Sequence, residues 1–87
     1  MEVKYHRNFV KNYKFRYQGN DKIKTQFHKR LKLFIENPDN PILKNHNLKG
    51  EKILLKAFSI TGDVRVVYME KDNVAYFLDI GTHNQVY

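Results

Sequence analysis

The chain has 87 residues, of which 41% are hydrophobic, and its formal net charge at pH 7 is +7. This length accommodates one compact domain, residues 1–87, and leaves no room for a second. Because the sequence contains no cysteine, it has no disulfide framework and no thiolate metal site. It also lacks the long apolar run of a signal peptide or membrane span, so we expect a soluble cytoplasmic protein without a membrane partner.

The basic residues are concentrated in the N-terminal part of the chain. Residues 1–60 carry 14 basic and 5 acidic side chains, for a charge of +9, whereas residues 61–87 carry 2 and 4, for a charge of −2. A positive field of this kind attracts polyanions with an affinity that falls as salt rises. The same lysines also keep a small domain soluble, so charge alone does not identify a nucleic-acid partner.

The first half of the chain predicts a strand and two helices. Residues 2–6 alternate apolar and polar side chains, as a short strand does. Asn8 offers an N-cap for a helix whose apolar residues recur at helical spacing to Tyr17, and residues 19–20 end that helix. A second helix is predicted from about residue 21 to residue 36, which makes a helical hairpin with the first.

A proline-rich segment, residues 37–41, ends the second helix, because proline has no amide donor and disfavours a helical residue before it. We expect a loop from there to about residue 50. Strands then follow at residues 53–60, 64–70 and 74–80, separated by short polar turns. An antiparallel meander is the simplest arrangement of these three strands.

The order of elements predicts an α+β fold in which the helical hairpin covers one face of the sheet and leaves the other face free. Successive strand side chains point to opposite faces. Asp63 and Arg65 therefore share one side, and Val64, Val66 and Tyr68 share the other. One side is expected to be buried and the other to be available for function.

The last residues of the chain include a histidine and a tyrosine. His83 and Tyr87 follow Gly81 closely, which places an imidazole and a phenol together at the end of the chain. Histidine exchanges protons near neutral pH and tyrosine stacks on bases. Together with the positive charge elsewhere, this pairing suggests chemistry on RNA.

Three stretches of the sequence resemble toxins of the RelE/ParE superfamily, most closely its YafQ-type branch. They are Asn47–Gly50, Phe58–Tyr68 and Asp79–Tyr87. The resemblance covers nearly the whole chain and implies a RelE-like fold. It also implies a toxin that cleaves messenger RNA on the ribosome, needs no metal or other cofactor, and is neutralised by a cognate antitoxin. Contact with DNA is implied only through that antitoxin.

The implied reaction is attack of the RNA's own 2′-hydroxyl on the adjacent phosphate. The protein must then accept one proton, donate another and stabilise charge on the phosphate. His83 follows the glycine that ends the last predicted strand, so it can project into the open face of the sheet and protonate the leaving 5′-oxygen. His46 matches a loop histidine of YafQ-type toxins, and by the resemblance it takes the proton from the 2′-hydroxyl or orients the phosphate. His46 is otherwise an exposed loop residue, and the division of acid and base between the two histidines stays open.

The resemblance assigns further site residues, each with an ordinary structural alternative. Asp63 holds a histidine in its useful tautomer, or simply forms a Gly-Asp turn. Arg65 faces the scissile phosphate, or pairs with Asp63 or Asp79. Tyr87 stacks on a nucleotide, or belongs to a frayed chain end.

Basic residues are expected to contact RNA phosphates without selecting a sequence. Lys56 matches a lysine that RelE-type toxins use near the phosphate, although Phe58 stands where a second would be and Ser59 where YafQ-type toxins often carry another histidine. The predicted RNA-binding residues are Lys56, Lys22, Lys29, Arg30 and Lys49.

Two other functions remain open from the sequence. A ParE-like toxin shares the fold and poisons DNA gyrase, but it does not need two histidines and a terminal tyrosine around one face. A non-catalytic RNA-binding domain needs only the basic surface. Metal binding is not favoured, because the histidines do not have the close helical spacing of known sites.

Overall fold

The computed structural model describes residues 1–52 and 54–87. Within these residues it has five strands and three α-helices. In chain order they are β1 Glu2–Tyr5, α1 Arg7–Tyr17, α2 Asp21–Glu36, β2 His46–Asn47, β3 Lys56–Ser59, β4 Val64–Lys71, β5 Val74–Thr82 and α3 His83–Val86. Short 3₁₀ turns lie at Pro41–Leu43 and Gly50–Lys52.

The strands form one mixed sheet in the order β1-β5-β4-β3-β2. β3, β4 and β5 make the predicted antiparallel meander, and β1 lies parallel to β5 at one edge. The α+β class is therefore confirmed. The predicted loop to residue 50 is wrong in one respect, because β2 forms within it and pairs with β3. Two residues are too few to show an alternating pattern. Ile53, where the third strand was predicted to begin, lies outside the described residues.

The ends of the two long helices are set by side-chain caps. The N-cap of α1 is His6 and not the predicted Asn8, and its Nδ1 accepts a hydrogen bond of 3.0 Å from the Asn8 amide. Asn20 caps α2 by accepting from the Ile23 amide at 3.1 Å. Within the described residues, no helix combines the length and the apolar character needed to cross a membrane.

The core lies between the helical hairpin and one face of the sheet. Phe34 of α2 is fully buried, stacks on Phe58 at a ring distance of 4.5 Å and meets the edge of Tyr68 at 5.0 Å. The buried side chains Val64 and Val66 of β4 belong to the same cluster. This is the face that strand alternation predicted to be buried, so Arg65 is left on the opposite face.

The opposite face is only partly open. Val86 of α3 packs against Ala57 and Val67 there, and these three side chains form a second buried cluster. The expectation of a wholly free face is therefore wrong at this end of the sheet. The physical reason is the short helix α3, whose single apolar side chain is buried against the sheet.

Tyr68 brings a hydroxyl group into the core. Its ring is fully buried, and its hydroxyl accepts a hydrogen bond of 2.7 Å from Nδ2 of Asn45. Burial raises the pKa of Tyr68 from 10.0 to about 12, although the bond from Asn45 acts in the opposite direction. The folded protein thus binds this phenolic proton more tightly than the unfolded chain does.

This difference predicts an alkaline loss of stability. The contribution of Tyr68 is fully present below pH 10 and is lost as the pH rises through about 12, with roughly 1 kcal/mol lost at pH 11. Tyr68→Phe should show a smaller decrease in the free energy of unfolding between pH 9 and pH 11 than the parent protein. Urea denaturation followed by circular dichroism measures both decreases, and equal decreases would contradict the prediction.

Candidate active site

The candidate site begins where β5 turns into α3. Oε1 of Gln85 accepts a hydrogen bond of 2.8 Å from the Thr82 amide, which closes the first turn of α3. Gly81 lies beneath this turn. A Cβ atom added at Gly81 would lie 2.6 Å from Oε1 of Gln85 and 2.7 Å from Nη1 of Arg16. A side chain at position 81 would therefore displace the ends of these two side chains from the hydrogen bonds that they make.

Helix α1 fixes the end of β5 from the other side. Nη1 of Arg16 donates to Oδ1 of Asp79 at 3.1 Å and to the carbonyl oxygen of Ile80 at 2.7 Å. Nδ2 of Asn12 donates to the same carboxylate oxygen at 2.8 Å. Sequence reasoning missed this network. Asn12 and Arg16 do share a helix face, but the sequence gives no sign that Asp79 is their partner.

Three of the five predicted catalytic residues lie together at this turn. Nη1 of Arg65 is 2.9 Å from Nδ1 of His83. The rings of His83 and Tyr87 meet edge to face with centroids 4.5 Å apart, and Cζ of Arg65 is 5.6 Å from the Tyr87 centroid. Arg65 thus contacts His83 and Tyr87, whereas Asp79, one of its suggested partners, pairs with Arg16 instead.

Tyr87 is held in this cluster rather than left as a frayed end. Its amide donates to the carbonyl oxygen of His83 at 3.0 Å, and its side chain is about one-third exposed. Burial raises the pKa of the Tyr87 phenol, and the positive charge of Arg65 partly opposes this rise. The phenol is therefore neutral at physiological pH and can act as a stacking surface or hydrogen-bond donor.

Lys52 is a member of the cluster that sequence reasoning missed. Its Nζ donates to the main-chain oxygens of Val86 at 3.1 Å and Tyr87 at 3.3 Å, and it lies 5.9 Å from the Tyr87 ring centroid. These contacts tie the 3₁₀ turn Gly50–Lys52 to α3. They join positions 34 and 35 residues apart in the chain, which no local sequence pattern reveals.

The other predicted histidine, His46, lies on the same face of the sheet but outside the cluster. It pairs with Ala57, which pairs with Val67 of β4, and directly paired residues share a face. From strand spacing and rise, its Cα lies about 12 Å from that of Arg65. His46 is exposed, and its Nδ1 is 2.9 Å from the carbonyl oxygen of Lys44.

The hydrogen bonds of the two histidines fix complementary tautomers. A guanidinium has donors only, so Nδ1 of His83 accepts from Arg65, and the neutral ring carries its proton on Nε2. A carbonyl oxygen accepts only, so Nδ1 of His46 donates to Lys44, and Nε2 of His46 carries the lone pair. In this arrangement the outward nitrogen of His83 is a proton donor and that of His46 is a proton acceptor.

Asp63 is not brought to the histidines. It is exposed in the turn before β4, where its amide donates to Oγ1 of Thr61 at 3.2 Å. Among the described residues, its side chain has no hydrogen bond or ion pair with His46 or His83. Asp63 affects Tyr17 of α1 instead. Burial is the main cause of the raised pKa of the Tyr17 phenol, Arg16 lowers this pKa, and the negative charge of Asp63 raises it.

The predicted RNA-binding residues are divided between different surfaces. Lys56 pairs with Tyr68 in the sheet register, which places it on the face opposite Arg65, and its Nζ lies 3.5 Å from Oε1 of Glu70. Arg30 donates to the carbonyl oxygens of Ile42 at 2.8 Å and Ser59 at 3.3 Å. Both residues have contacts within the fold.

The remaining predicted RNA-binding lysines are exposed. Lys22 and Lys29 lie on α2, in the helical layer, on the far side of the sheet from His83. Lys49 follows β2 in the exposed loop that leads to Lys52. Within the described residues, no group of three histidine, cysteine, aspartate or glutamate side chains is placed to hold a metal ion.

The fold is that of a class of small bacterial toxins. A family model described as "Bacterial toxin of type II toxin-antitoxin system, YafQ" matches residues 1–87. Because the match spans the whole chain, the protein belongs to the YafQ family of type II toxins. The RelE-like resemblance of the sequence is thereby confirmed. No curated protein sequence matches the chain.

Solved structures of other toxins share the fold. YafQ from E. coli strain BL21(DE3) is 22% identical, with a TM-score of 0.82, over 99% of this chain and 97% of that one. A chain of the E. coli DinJ-YafQ complex is 22% identical, with a TM-score of 0.80, over 99% of this chain and 97% of that one. A copper-bound mutant toxin from Helicobacter pylori is 24% identical, with a TM-score of 0.77, over 100% of this chain and 99% of that one. At these identities the likeness concerns the fold alone.

The contacts of Lys52 predict a positioning effect on the cluster. Lys52→Ala removes two hydrogen bonds to the end of α3, so the rings of His83 and Tyr87 should no longer be held edge to face. We expect the nuclear Overhauser contacts between these two rings to weaken strongly, with a change in unfolding free energy of only about 1 kcal/mol. Lys71→Ala, at an exposed strand end, is the matched control and should leave the ring contacts intact.

Proposed function

We propose that this toxin is an endoribonuclease that cleaves messenger RNA on the ribosome in the bacterial cytoplasm, without a metal or other cofactor in the chemical step. The observation that carries the proposal is the pair of complementary histidine tautomers on one sheet face, with Arg65 beside one of them. An acid, a base and a cation are the groups that attack by a 2′-hydroxyl requires.

In the proposed reaction, Nε2 of His46 accepts the proton of the 2′-hydroxyl as its oxygen attacks the adjacent phosphorus. The bond between phosphorus and the 5′-oxygen breaks, and Nε2 of His83 donates its proton to that oxygen. The products are a 2′,3′-cyclic phosphate and a 5′-hydroxyl, so one proton is taken up and one released. The separation of about 12 Å between the His46 and Arg65 Cα atoms leaves room for one nucleotide linkage between them.

Charge on the phosphate would be stabilised by Arg65, whose planar guanidinium can leave His83 and bind two phosphate oxygens. Lys52 supplies a second positive charge at the same end of the site. Tyr87 would stack on a base of the substrate. The contacts of Asp63 support its turn role, which places β4 and hence Arg65, rather than a direct role beside a histidine.

The other basic residues would contribute to binding on the ribosome. Lys22, Lys29 and Lys49 are exposed and can contact phosphates of ribosomal or messenger RNA without selecting a sequence. The internal contacts of Arg30 and Lys56 support a mainly structural role for these two.

A protein antitoxin is the second proposed partner, because the related E. coli YafQ forms a complex with DinJ. An apolar groove runs between α1 and α2, on the side of the molecule away from His83, and its lining includes Val10, Tyr13 and Phe27. The helices around it carry most of the basic residues, so an acidic amphipathic segment would fit. Contact with DNA would occur only through that antitoxin.

The cleavage proposal is tested with purified protein, translating ribosomes and mapping of messenger-RNA ends. His83→Gln and His46→Gln each remove one proton-transfer group, and each should lower the rate of cleavage by about 10²–10⁴-fold. A single 2′-O-methyl group at the cleavage site of the message should abolish cleavage there, because the nucleophile is blocked.

His28→Gln is the matched control, because His28 is exposed on α2 and touches none of these groups. It should cleave at the parent rate. Cleavage by His83→Gln at the rate of this control would refute the assignment of the acid. Cleavage of the 2′-O-methyl message would refute the reaction itself.

The absence of a catalytic metal is a separate prediction, prompted by the copper-bound toxin from Helicobacter pylori. The described residues provide no cluster of three metal-ligating side chains. A chelator selective for transition metals, added in magnesium-containing buffer that keeps ribosomes intact, should leave the cleavage rate unchanged. A loss of cleavage that added Cu²⁺ or Zn²⁺ restores would contradict this prediction.

A further inference from the structure

A shallow depression lies on the same sheet face as Arg65, at the part of that face that α3 leaves open. Its volume is about 600 Å³. It lies against β1, the start of α1 and the paired parts of β4 and β5. The residues that line it are Lys4, Tyr5, His6, Arg7, Met69, Tyr76 and Leu78.

Sheet register places this depression next to the catalytic cluster. Lys4, Tyr76 and Met69 are paired across β1, β5 and β4, so their side chains share one face. Along β4, Arg65 and Met69 are four residues apart and point to that same face, which puts their Cα atoms about 13 Å from each other. Val86 covers Val67 between them, and the face opens again at Met69.

The chemistry of the depression combines positive charge with an aromatic ring. Lys4 and Arg7 each supply a cation, and Tyr76 supplies a partly exposed ring with Met69 beside it. Among the described residues, none of those that line the depression is acidic. A ring on which a base can stack, flanked by cations that can reach phosphates, is the combination that binds single-stranded nucleic acid.

We propose that Lys4, Arg7 and Tyr76 form a second RNA subsite, which holds nucleotides that flank the cleaved linkage. The single strand would run from Arg65 past α3, which covers Val67, to Tyr76. There a base would stack on the tyrosine ring, and Lys4 and Arg7 would contact phosphates. This inference rests on the proposed nuclease function, and it deepens it by naming where the substrate extends beyond the reacting atoms.

The test measures binding of RNA that cannot be cleaved, so it does not depend on catalysis. A fluorescent 2′-O-methyl oligonucleotide of about eight residues is titrated with protein, and binding is followed by anisotropy at several salt concentrations. Lys4→Ala/Arg7→Ala should bind about 10-fold more weakly than the parent. Its salt dependence, the slope of log affinity against log salt, should fall by about 1.4, because two phosphates are no longer neutralised by the protein.

The matched control is Lys24→Ala/Lys32→Ala, which removes the same charge from α2 on the other side of the sheet. It should change affinity less than twofold. The role of the aromatic ring is tested at Tyr76. Tyr76→Leu, which removes the ring, should weaken RNA binding about 10-fold, whereas Tyr76→Phe, which keeps it, should bind as the parent does. Phe15→Leu, which alters an aromatic ring that is 84% exposed on α1, should have no effect.

Length dependence separates this subsite from the catalytic cluster. A non-cleavable dinucleotide reaches only the cluster, so Lys4→Ala/Arg7→Ala should bind it as the parent does. When His83→Gln is already present, adding Lys4→Ala/Arg7→Ala should still weaken binding of the long oligonucleotide about 10-fold. If the parent does not cleave RNA at all, the nuclease proposal fails, while the binding measurements still decide the subsite.

Two results would overturn the subsite. Equal losses in the Lys4/Arg7 and Lys24/Lys32 variants would mean that RNA responds to net charge alone. The second result would be that Lys4→Ala/Arg7→Ala binds RNA as the parent does but no longer binds an acidic peptide such as polyglutamate. That result would assign the depression to a protein partner. Circular dichroism and thermal unfolding establish that each variant is folded. If Tyr76→Leu is not, Lys4→Ala/Arg7→Ala provides the test, because it changes two exposed side chains.

Discussion

The candidate site depends on the turn that carries the chain from β5 into α3. At this point the chain leaves the end of β5 and folds back across the face of the sheet that carries Arg65, which brings His83 and Tyr87 next to that residue. Because Gly81 has no side chain, the ends of Gln85 and Arg16 can approach the turn closely. It is held by the hydrogen bond from Thr82 to Gln85, by Val86 in its apolar cluster, and by Lys52 at the far end of the helix. If this turn were lost, the histidine, arginine and tyrosine would have no common location.

The same arrangement pairs Arg65 with His83, the two groups to which we assign phosphate binding and proton donation. Arg65 is hydrogen-bonded to His83, and this bond both orients the imidazole and places its proton on the outward nitrogen. A phosphate oxygen is a better acceptor for a guanidinium than a neutral imidazole is, because it carries a negative charge. Arrival of the phosphate would therefore draw Arg65 away and leave the His83 Nε2 proton directed at the leaving oxygen.

Much of the fold could be predicted because its elements carry local signals. Alternating side chains and polar turns located the meander, and helical spacing located the hairpin. The alternation along β4 then predicted which of its two faces is buried. The errors lie where the signal is short or is supplied by contacts. The two residues of β2 form a strand only because β3 lies beside them. His6 caps α1 in place of Asn8 because the helix begins one residue before Asn8. Helix α3 was missed because its four residues cannot show a helical period.

The sequence by itself determined the α+β order of elements, the toxin family and the residue types at the site, because local periodicity or short motifs indicate each of them. It could not decide which side chains meet, because contacts such as Arg65 with His83, Arg16 with Asp79 and Lys52 with Tyr87 join distant positions. Tertiary packing alone decided these, and with them the tautomers of the histidines, since a hydrogen-bond partner and not the residue type selects the protonated nitrogen.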